Sequence, residues 1–291
     1  MSRPAACILM AFLVVCSLQG RQSQLSVSQV QAAEGPTVAR KAARGGAVRI
    51  DFPAIALREA RKAGIKRPHL FVRQLAQESN FDPCAGSSAG AQGIAQILAS
   101  TANSREWGYV DPWMPHQAIR AAAKAMAKYE RQTGDYADAL QIYNAGAGAY
   151  QKHNGNVPYG ETREYVRRIM GDYPLQTDRI FTRPSDLTPR FARSVRMLIR
   201  DVESRGGSLS VVPGNGFRSI KTQTRLWKEA KRKYGAAGAR RWVSPPFCSS
   251  HGLGTAVDLR GDLPLAHRLG PKYGIHFKIP NEPWHGSRTG F

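Results

Sequence analysis

The chain has 291 residues, of which 42% are hydrophobic and 22% charged, which is typical of a soluble globular protein with room for two compact domains. Its 42 Lys and Arg against 21 Asp and Glu give a formal charge of +21, and residues 1–177 and residues 178–291 are both basic. The charge argues against a cationic target and for an anionic one, either nucleic acid or a bacterial envelope with acidic polymers or lipids.

The first 17 residues contain Arg3 and an apolar run from Ala5 to Val15. This run has the size of a signal-peptide core and is shorter than the ~20 residues of a membrane-spanning helix. We therefore predict a signal peptide or anchor at residues 1–17 and export to the periplasm or cell wall, with a cleaved leader favoured. A buried apolar segment is the alternative. Residues 18–46 are rich in Gln, Ser, Ala and Gly without an apolar period, which predicts a flexible tether.

Helical patterns dominate residues 47–175, which we predict to form one mainly α domain. A helical pattern begins at Phe52 and stops at Gly64, and another restarts with Pro68 in its first turn. Strand-like alternation is scarce in this part of the chain. Further helices are predicted at 93–102, 115–133, 136–144 and 160–170.

Repeated prolines in residues 174–189 predict a linker at 176–187, and the signals are mixed in residues 188–291. The stretch "TPRFARSVRMLIRDVESRGG" is helical, "LSVVPGNGF" reads as a strand and turn, and "SIKTQTRLWKEAKRKYG" is a basic helix. The runs "TAVDLR" and "GIHFKI" are rich in β-formers. Residues 188–291 are therefore predicted to be an α+β domain.

Two cysteines, Cys84 and Cys248, remain if the leader is removed, and each one flanks a motif described below. They could pair in an oxidising compartment. Because they fall in different predicted domains, we expect them to stay apart.

Glu78 lies near the end of a predicted helix that has an apolar side. A carboxyl group partly removed from water has a raised pKa and can act as an acid near neutral pH. Glycosidases normally need two carboxylates. The nearest other candidate, Asp82, is better explained as a loop cap before Pro83. An exposed helix-end charge is the alternative reading of Glu78.

Three ordered motifs around Glu78 resemble those of the lysozyme-like lytic transglycosylases of the soluble bacterial type. The motifs are "ESNF", then "SSAGAQGIAQ", then "YNAG" in "LQIYNAGAG", and "ETREYVRRI" is similar to the closing helix of that family. The resemblance implies Glu78 as the catalytic acid and base. It also implies five sugar-positioning residues: Ser87, Gln96, Tyr143, Asn144 and Tyr165. Ala95 departs from the family's usual Met, which weakens one expected packing contact with the saccharide.

The family mechanism that this resemblance implies needs no second carboxylate. Glu78 protonates the glycosidic oxygen between N-acetylmuramic acid and N-acetylglucosamine while the 2-acetamido group of the sugar stabilises the developing cation. Glu78 then removes a proton from the sugar's own 6-hydroxyl, which closes a 1,6-anhydro ring. A muramidase that uses water instead remains an open alternative.

A second constellation lies near the C-terminal end. His251 and Asp258 stand seven positions apart in "SSHGLGTAVDLR", with small residues between them that let the backbone approach a metal. Zinc binds His nitrogen and carboxylate oxygen, and a catalytic site keeps one position for water. His285 in "NEPWH" is the best third ligand, and Glu282 could take a proton from that water.

"SSHGLGTAVDL" together with "EPWH" resembles the family of D-alanyl-D-alanine carboxypeptidase and L-alanyl-D-glutamate endopeptidase zinc peptidases. The resemblance implies one Zn²⁺ bound by His251, Asp258 and His285, with Glu282 as general base. The segment "GNGFRSIKTQ" is also similar to the family, which implies that Arg218 and, more weakly, Gln223 bind substrate.

Both resemblances point to one material, so we predict a bifunctional enzyme that cuts the glycan strands and the stem or cross-link peptides of peptidoglycan. A phage lysin and a bacterial wall-remodelling enzyme both fit, and the positive charge would hold either on an anionic envelope. Two alternatives remain. One is a cationic wall-binding protein with one or both sites inactive, and the other is a nucleic-acid binder. No nucleic-acid-binding module is visible, so we expect no nucleic-acid partner.

Overall fold

The structure is a computed structural model that describes residues 47–289. The predicted leader and tether fall on residues 1–46 and lie outside this part of the chain. The described residues divide into two compact units, one formed by residues 51–181 and the other by residues 182–289 with the short stretch 47–50. Within the described residues, no helix combines the length and the apolar character needed to cross a bilayer.

The first unit is mainly helical, as predicted. Its helices are α1 (Phe52–Ala63), α2 (Pro68–Ser79), α3 (Ala99–Ala102), α4 (Pro115–Thr133), α5 (Tyr136–Ala145), α6 (Ala147–Lys152) and α7 (Gly160–Met170). The long helix α4 packs against both α1 and α5, and α7 packs against α2 and α5. The core between these helices consists of fully buried apolar side chains: Phe52, Phe71, Leu75, Ile119, Met126 and Leu140.

Local capping signals set the ends of α1 and the start of α2. The carboxylate of Asp51 accepts a hydrogen bond of 2.8 Å from the backbone N–H of Ala54 at the start of α1. Gly64 ends α1 in the left-handed conformation with a φ of 84°. Pro68 occupies the first turn of α2. The predicted boundaries at Gly64 and Pro68 are therefore confirmed.

The helix predicted at 93–102 is wrong over most of its length. Strands β2 (Ala91–Gln92) and β3 (Ile97–Leu98) pair there as an antiparallel hairpin, and only α3 is helical. Gly93 and Gln96 have positive φ values of 68° and 47°, which a right-handed helix cannot contain. The apolar residues of this stretch are buried by a tight turn.

The second unit combines helices with a three-stranded antiparallel sheet, as predicted for an α+β domain. The sheet order is β5 (Leu209–Val211), β6 (Ala256–Gly261) and β7 (His285–Ser287). The helices are α8 (Pro189–Ser204), α9 (Ile220–Ala239) and α10 (Leu263–Leu269), followed by a 3₁₀ turn at Gly270–Tyr273. Apolar residues of α8, α10 and the sheet form one core, which includes Leu198, Val202, Val257, Leu259 and Ile275.

Two further stretches differ from the sequence prediction. "GIHFKI" is not a strand, since only His276 forms an isolated bridge, to Ser287. The chain turns directly afterwards, where the N–H of Glu282 donates to the carbonyl of Ile279, and Pro280 cannot donate to a ladder. The stretch 176–187, predicted to be a linker, contains strand β4 (Ile180–Arg183), which pairs with β1 (Val48–Asp51).

Cys84 and Cys248 are both disulfide-bonded. The interpretation of these residues as unpaired cysteines is therefore wrong. That expectation rests on the frequency of such pairs in proteins, and the sequence does not give the distance between two cysteines in the folded chain.

Candidate active sites

Glu78 is a partly buried acid near the C-terminal end of α2. Removal from water raises the pKa of its carboxyl to about 8, and the negative charge of Glu161 adds to the rise. The hydroxyl of Tyr165, on α7, donates a short hydrogen bond to Oε1 of Glu78 and acts in the opposite direction. Glu78 can therefore hold a proton near neutral pH while Tyr165 fixes the direction in which the carboxyl points.

The turn of the β2–β3 hairpin is fastened to the helices on either side of Glu78. The hydroxyl of Ser79 donates to the carbonyl of Ile94 at 2.7 Å, and the hydroxyl of Tyr143 donates to the carbonyl of Ala95 at 2.7 Å. Ala95 itself is fully buried, so its backbone rather than its side chain serves this site. Gly93 is required here because a Cβ at this position would overlap the carbonyl oxygen of Pro112.

The structure brings only some of the predicted sugar-positioning residues next to Glu78. Tyr165 contacts it directly, and the pKa of Tyr143 is raised by burial and by the charge of Glu78. Ser87 and Gln96 bond within the hairpin, Ser87 to the N–H of Ala91 and Gln96 to the carbonyl of Gly93.

Asn144 and Asp82 have partners that define their local roles. Oδ1 of Asn144 accepts a 2.7 Å hydrogen bond from the hydroxyl of Thr162, which links α5 to α7. Oδ1 of Asp82 accepts a 2.8 Å bond from the N–H of Cys84. The predicted loop-capping role of Asp82 is confirmed.

Trp107 is a further aromatic residue beside this site, and its ring lies 5.9 Å from that of Tyr143 between centroids. It stands in the loop after α3, outside every motif noted above. In the sequence, its only sign of a role is that it is an isolated aromatic residue in a polar loop.

The second unit brings His251, Asp258 and His285 together. Asp258 in β6 and His285 in β7 are directly paired across the sheet, which places their side chains on the same face. His251 comes from the turn that leads into β6. All three side chains are buried, and their possible ligand atoms lie within 4.8 Å of one another.

The three ligand atoms form a nearly equilateral triangle. Nε2 of His251 lies 3.2 Å from Nδ1 of His285 and 3.4 Å from Oδ1 of Asp258, and Nδ1 of His285 lies 3.2 Å from that same oxygen. Ligands about 2.1 Å from a tetrahedral zinc ion are separated by about 3.4 Å. The donor set and its spacing therefore fit a divalent ion such as zinc.

Neighbouring groups orient two of the three ligands. Nδ1 of His251 lies 2.8 Å from the carbonyl of Gly216, which directs Nε2 towards the other two ligands. Nη2 of Arg218 donates to Oδ2 of Asp258 at 3.0 Å. Burial alone would raise the pKa of Asp258, but hydrogen bonds from both histidines and the charge of Arg218 lower it below its usual range. Asp258 is therefore anionic, as a metal ligand must be.

Glu282 and Gln223, which are also predicted for this site, form their hydrogen bonds with groups other than the buried side chains of the three ligands. Glu282 is half-buried in the turn before β7, where its carbonyl accepts from the N–H of His285 at 3.0 Å. Gln223 is buried on α9, and its amide donates to the carbonyl of Ser244 at 2.8 Å. This bond gives Gln223 a scaffold role, and its direct contact with substrate stays a prediction. Trp284 is 42% exposed beside the ligands.

Comparison with known proteins assigns each unit to a family. Residues 56–166 match the family model described as "Transglycosylase SLT domain", and residues 184–279 match the one described as "D-alanyl-D-alanine carboxypeptidase". The bifunctional D-Ala-D-Ala dipeptidase and D-Ala-D-Ala carboxypeptidase VanXYC of Enterococcus gallinarum is 32% identical over 73 residues. These are 25% of this chain and 37% of that protein, so the match spans little more than a third of the relative's length.

Solved structures also align with part of the chain. A variant of the vancomycin resistance D,D-pentapeptidase VanY from a VanB-type resistance cassette, in complex with Zn(II), is 22% identical. The alignment covers 35% of this chain and 71% of that one, with a TM-score of 0.31. The LdcB LD-carboxypeptidase is 21% identical and has a TM-score of 0.32, with 35% and 58% of the two chains covered. By its two family matches, the chain carries a transglycosylase SLT domain at residues 56–166 followed by a VanY-type D-alanyl-D-alanine carboxypeptidase domain at residues 184–279.

Proposed function

We propose that this protein is a bifunctional peptidoglycan-degrading enzyme that cuts both the glycan strand and a stem or cross-link peptide. The observation that supports this most is the presence of two separate candidate sites in one chain. One is Glu78, a partly buried acid whose pKa is raised to about 8, and the other is a triangle of ligands with the spacing of a zinc site. Glu78 lies within the segment that matches the transglycosylase family, and His251 and Asp258 lie within the segment that matches the carboxypeptidase family, which ends at residue 279, six residues before His285.

In the first domain, Glu78 would donate its proton to the glycosidic oxygen between N-acetylmuramic acid and N-acetylglucosamine. Tyr165 would hold the carboxyl in place during this transfer. The resulting carboxylate would accept a proton from the sugar's 6-hydroxyl, so the ring closes as a 1,6-anhydro product. Asp82, the other acid considered, bonds to the N–H of Cys84, which favours this one-acid mechanism over a two-carboxylate hydrolysis.

In the second domain, His251, Asp258 and His285 would hold one zinc ion. Zinc bound there would polarise the scissile carbonyl and lower the pKa of a water molecule. Glu282 would take the proton from the attacking water and pass it to the leaving amine. Arg218, anchored to Asp258 through one nitrogen, has further donors in its fork with which to hold a carboxylate or carbonyl of the peptide.

We further propose that the protein is exported and that its charge of +21 holds it on an anionic envelope. Such an enzyme would serve as a phage lysin or as a bacterial wall-remodelling protein, because both tasks need the same two cuts.

Mass spectrometry of purified peptidoglycan after digestion by the full chain tests the proposal. We expect anhydro-muramic ends together with severed peptides. E78Q should remove only the anhydro ends, and H285A should remove only the peptide cuts. The matched controls E164Q and H153A change surface residues and should leave both products unchanged.

Two outcomes would contradict the proposal in different ways. Hydrated reducing ends in place of anhydro ends would make the first domain a muramidase. Absence of both anhydro ends and severed peptides after digestion by the wild-type chain, with zinc supplied, would leave only a cationic wall-binding protein.

A further inference from the structure

Arg183 is a buried cation at the end of β4, one residue before the segment that matches the carboxypeptidase family. The residue is 1% exposed, and it is one of the largest fully buried side chains of the described chain. No carboxylate among residues 47–289 pairs with it, and its Nε has no hydrogen-bond partner there. Burial lowers the pKa of the guanidinium to about 10, so it remains charged at neutral pH.

The guanidinium of Arg183 joins the two loops that build the metal site. Its Nη1 donates to the carbonyl of Pro246 at 2.6 Å, in the loop that leads to His251. Its Nη2 donates to the carbonyl of Arg218 at 3.2 Å, in the loop whose side chain binds Asp258. One rigid fork therefore holds both loops at a fixed separation.

Arg183 also lies directly against the chain beside a ligand. A Cβ at Gly252, the residue after His251, would overlap Nη2 of Arg183. Only a residue without a side chain lets the guanidinium approach the backbone this closely. The backbone N–H of Arg218 in turn donates to the carbonyl of His251 at 3.3 Å, so the two loops are also bonded to each other.

Burial of the Arg183 guanidinium is energetically unfavourable if its role is only structural. A buried charge without an opposite charge carries a large desolvation cost, and an apolar side chain of similar volume would fill the same space without that cost. A neutral side chain, however, could not donate to two carbonyls from one plane. The desolvation cost of Arg183 is explained if the metal site requires a fixed separation between the two loops.

We propose that Arg183 is a positioning residue of the metal centre: it sets the loop of His251 against the loop of Arg218 and so holds the ligand triangle at the spacing that zinc requires. This inference rests on the proposed zinc peptidase function. Groups that orient metal ligands typically change metal affinity or activity by about 10- to 100-fold when they are removed.

The test compares the full-length wild-type chain with R183M, which keeps much of the volume, and R183K, which keeps the charge but not the fork. R225M changes an exposed arginine on α9 and serves as the matched control. Zn²⁺ affinity is measured by competition with a chromogenic chelator, and ligand geometry is read from the visible absorption of the Co²⁺-loaded protein. We expect about tenfold or greater loss of Zn²⁺ affinity and altered Co²⁺ bands for R183M, an intermediate loss for R183K, and no change for R225M.

Zn²⁺ affinity of R183M within twofold of wild type, with unchanged Co²⁺ bands, would overturn the inference. Failure of the wild-type chain itself to bind Zn²⁺ would overturn the zinc peptidase function, which is a distinct result. If R183M does not fold, G252A provides the second test, because its methyl group displaces the guanidinium and leaves the charge in place. G252A should weaken Zn²⁺ binding, and less so in the R183K background, whereas unchanged Zn²⁺ binding by G252A would also refute the inference.

Discussion

At the scale of single residues, Glu78 shows how burial and one hydrogen bond together prepare an acid. Burial favours the protonated form, and the hydroxyl of Tyr165 partly opposes it by stabilising the carboxylate. A group with a pKa of about 8 is mostly protonated at neutral pH, yet it loses its proton readily. The same group can therefore first give a proton to the substrate and then take one back.

Glycan cleavage should accordingly decline as the pH rises through about 8, since Glu78 must begin the reaction protonated. Y165F removes the hydrogen bond that lowers the pKa of Glu78, so the alkaline limb should move to higher pH while the maximal rate falls. Release of soluble muropeptides between pH 5 and pH 10 at constant ionic strength measures both effects. Y150F, whose hydroxyl interacts with Asp138 instead, should keep the wild-type profile. A Y165F limb at or below that of wild type would contradict this account.

The raised pKa of Glu78 should also make the first domain less stable as pH rises. Above the ordinary pKa of 4.5 the unfolded chain loses this proton while the native chain retains it until about pH 8, so unfolding becomes easier across this interval. This loss of unfolding free energy is absent below pH 4.5 and complete above pH 8. E78Q removes it and should raise the free energy of unfolding at pH 8 by about 2 kcal/mol, less than the full shift because the side chain keeps some contact with solvent. Calorimetry at pH 4 and pH 8 should show the gain at pH 8 only, and an equal gain at both values would refute it.

At the scale of elements, the β2–β3 hairpin depends on close approach of its turn to the loop at Pro112. Gly93 has a positive φ and no space for a Cβ. Gly90 also has a positive φ, of 85°, but a Cβ added to Gly90 would have no atom within 4 Å. G90A should therefore cost about 1 kcal/mol through backbone strain alone, and G93A about 3 kcal/mol or more through strain and overlap. Calorimetric unfolding compares the two variants. Because this turn is fastened to Ser79 beside Glu78, only G93A should also reduce glycan cleavage, and equal effects of both variants would argue against this packing.

The elements that could be predicted from sequence are those whose signals are local. The start of α2 at Pro68 and the end of α1 at Gly64 depend on the conformational preferences of those residues themselves. The hairpin could not be predicted, because the positive φ of Gln96 and the contact of Gly93 with Pro112 arise from tertiary packing. The apolar residues of "GIHFKI" resemble a strand, but the turn that follows at Pro280 leaves only one bridge.

The same distinction applies to the candidate sites. His251, Asp258 and His285 could be predicted to converge because their residue types and order match a zinc motif, and the structure places them together. Arg183 could not be predicted, since it lies in a proline-rich stretch and acquires its contacts, with Pro246 and Gly252, only in the folded chain. The hydrogen bond between Tyr165 and Glu78 joins residues 87 positions apart and follows from helix packing.

At the scale of the whole molecule, the large positive charge belongs to both halves of the chain. Binding to intact peptidoglycan should therefore weaken as salt is added, because the Debye length shortens from about 10 Å at 0.1 M to about 3 Å at 1 M. Sedimentation of purified sacculi with the double variant E78Q/H285A measures binding without digestion. We expect most of the protein in the pellet at 0.05 M NaCl and a large fraction released at 0.5 M. Retention that does not depend on salt would indicate recognition of neutral sugar or peptide groups instead.

The cross-strand pairing of Asp258 with His285 means that the sheet, rather than the ion, brings these two ligands together. Chelation should therefore leave the second domain folded, with its far-ultraviolet circular dichroism spectrum intact. Binding of a divalent ion would then need no refolding of the sheet. The ligands of the proposed zinc site would therefore stay together in the folded domain when the ion leaves and when it returns.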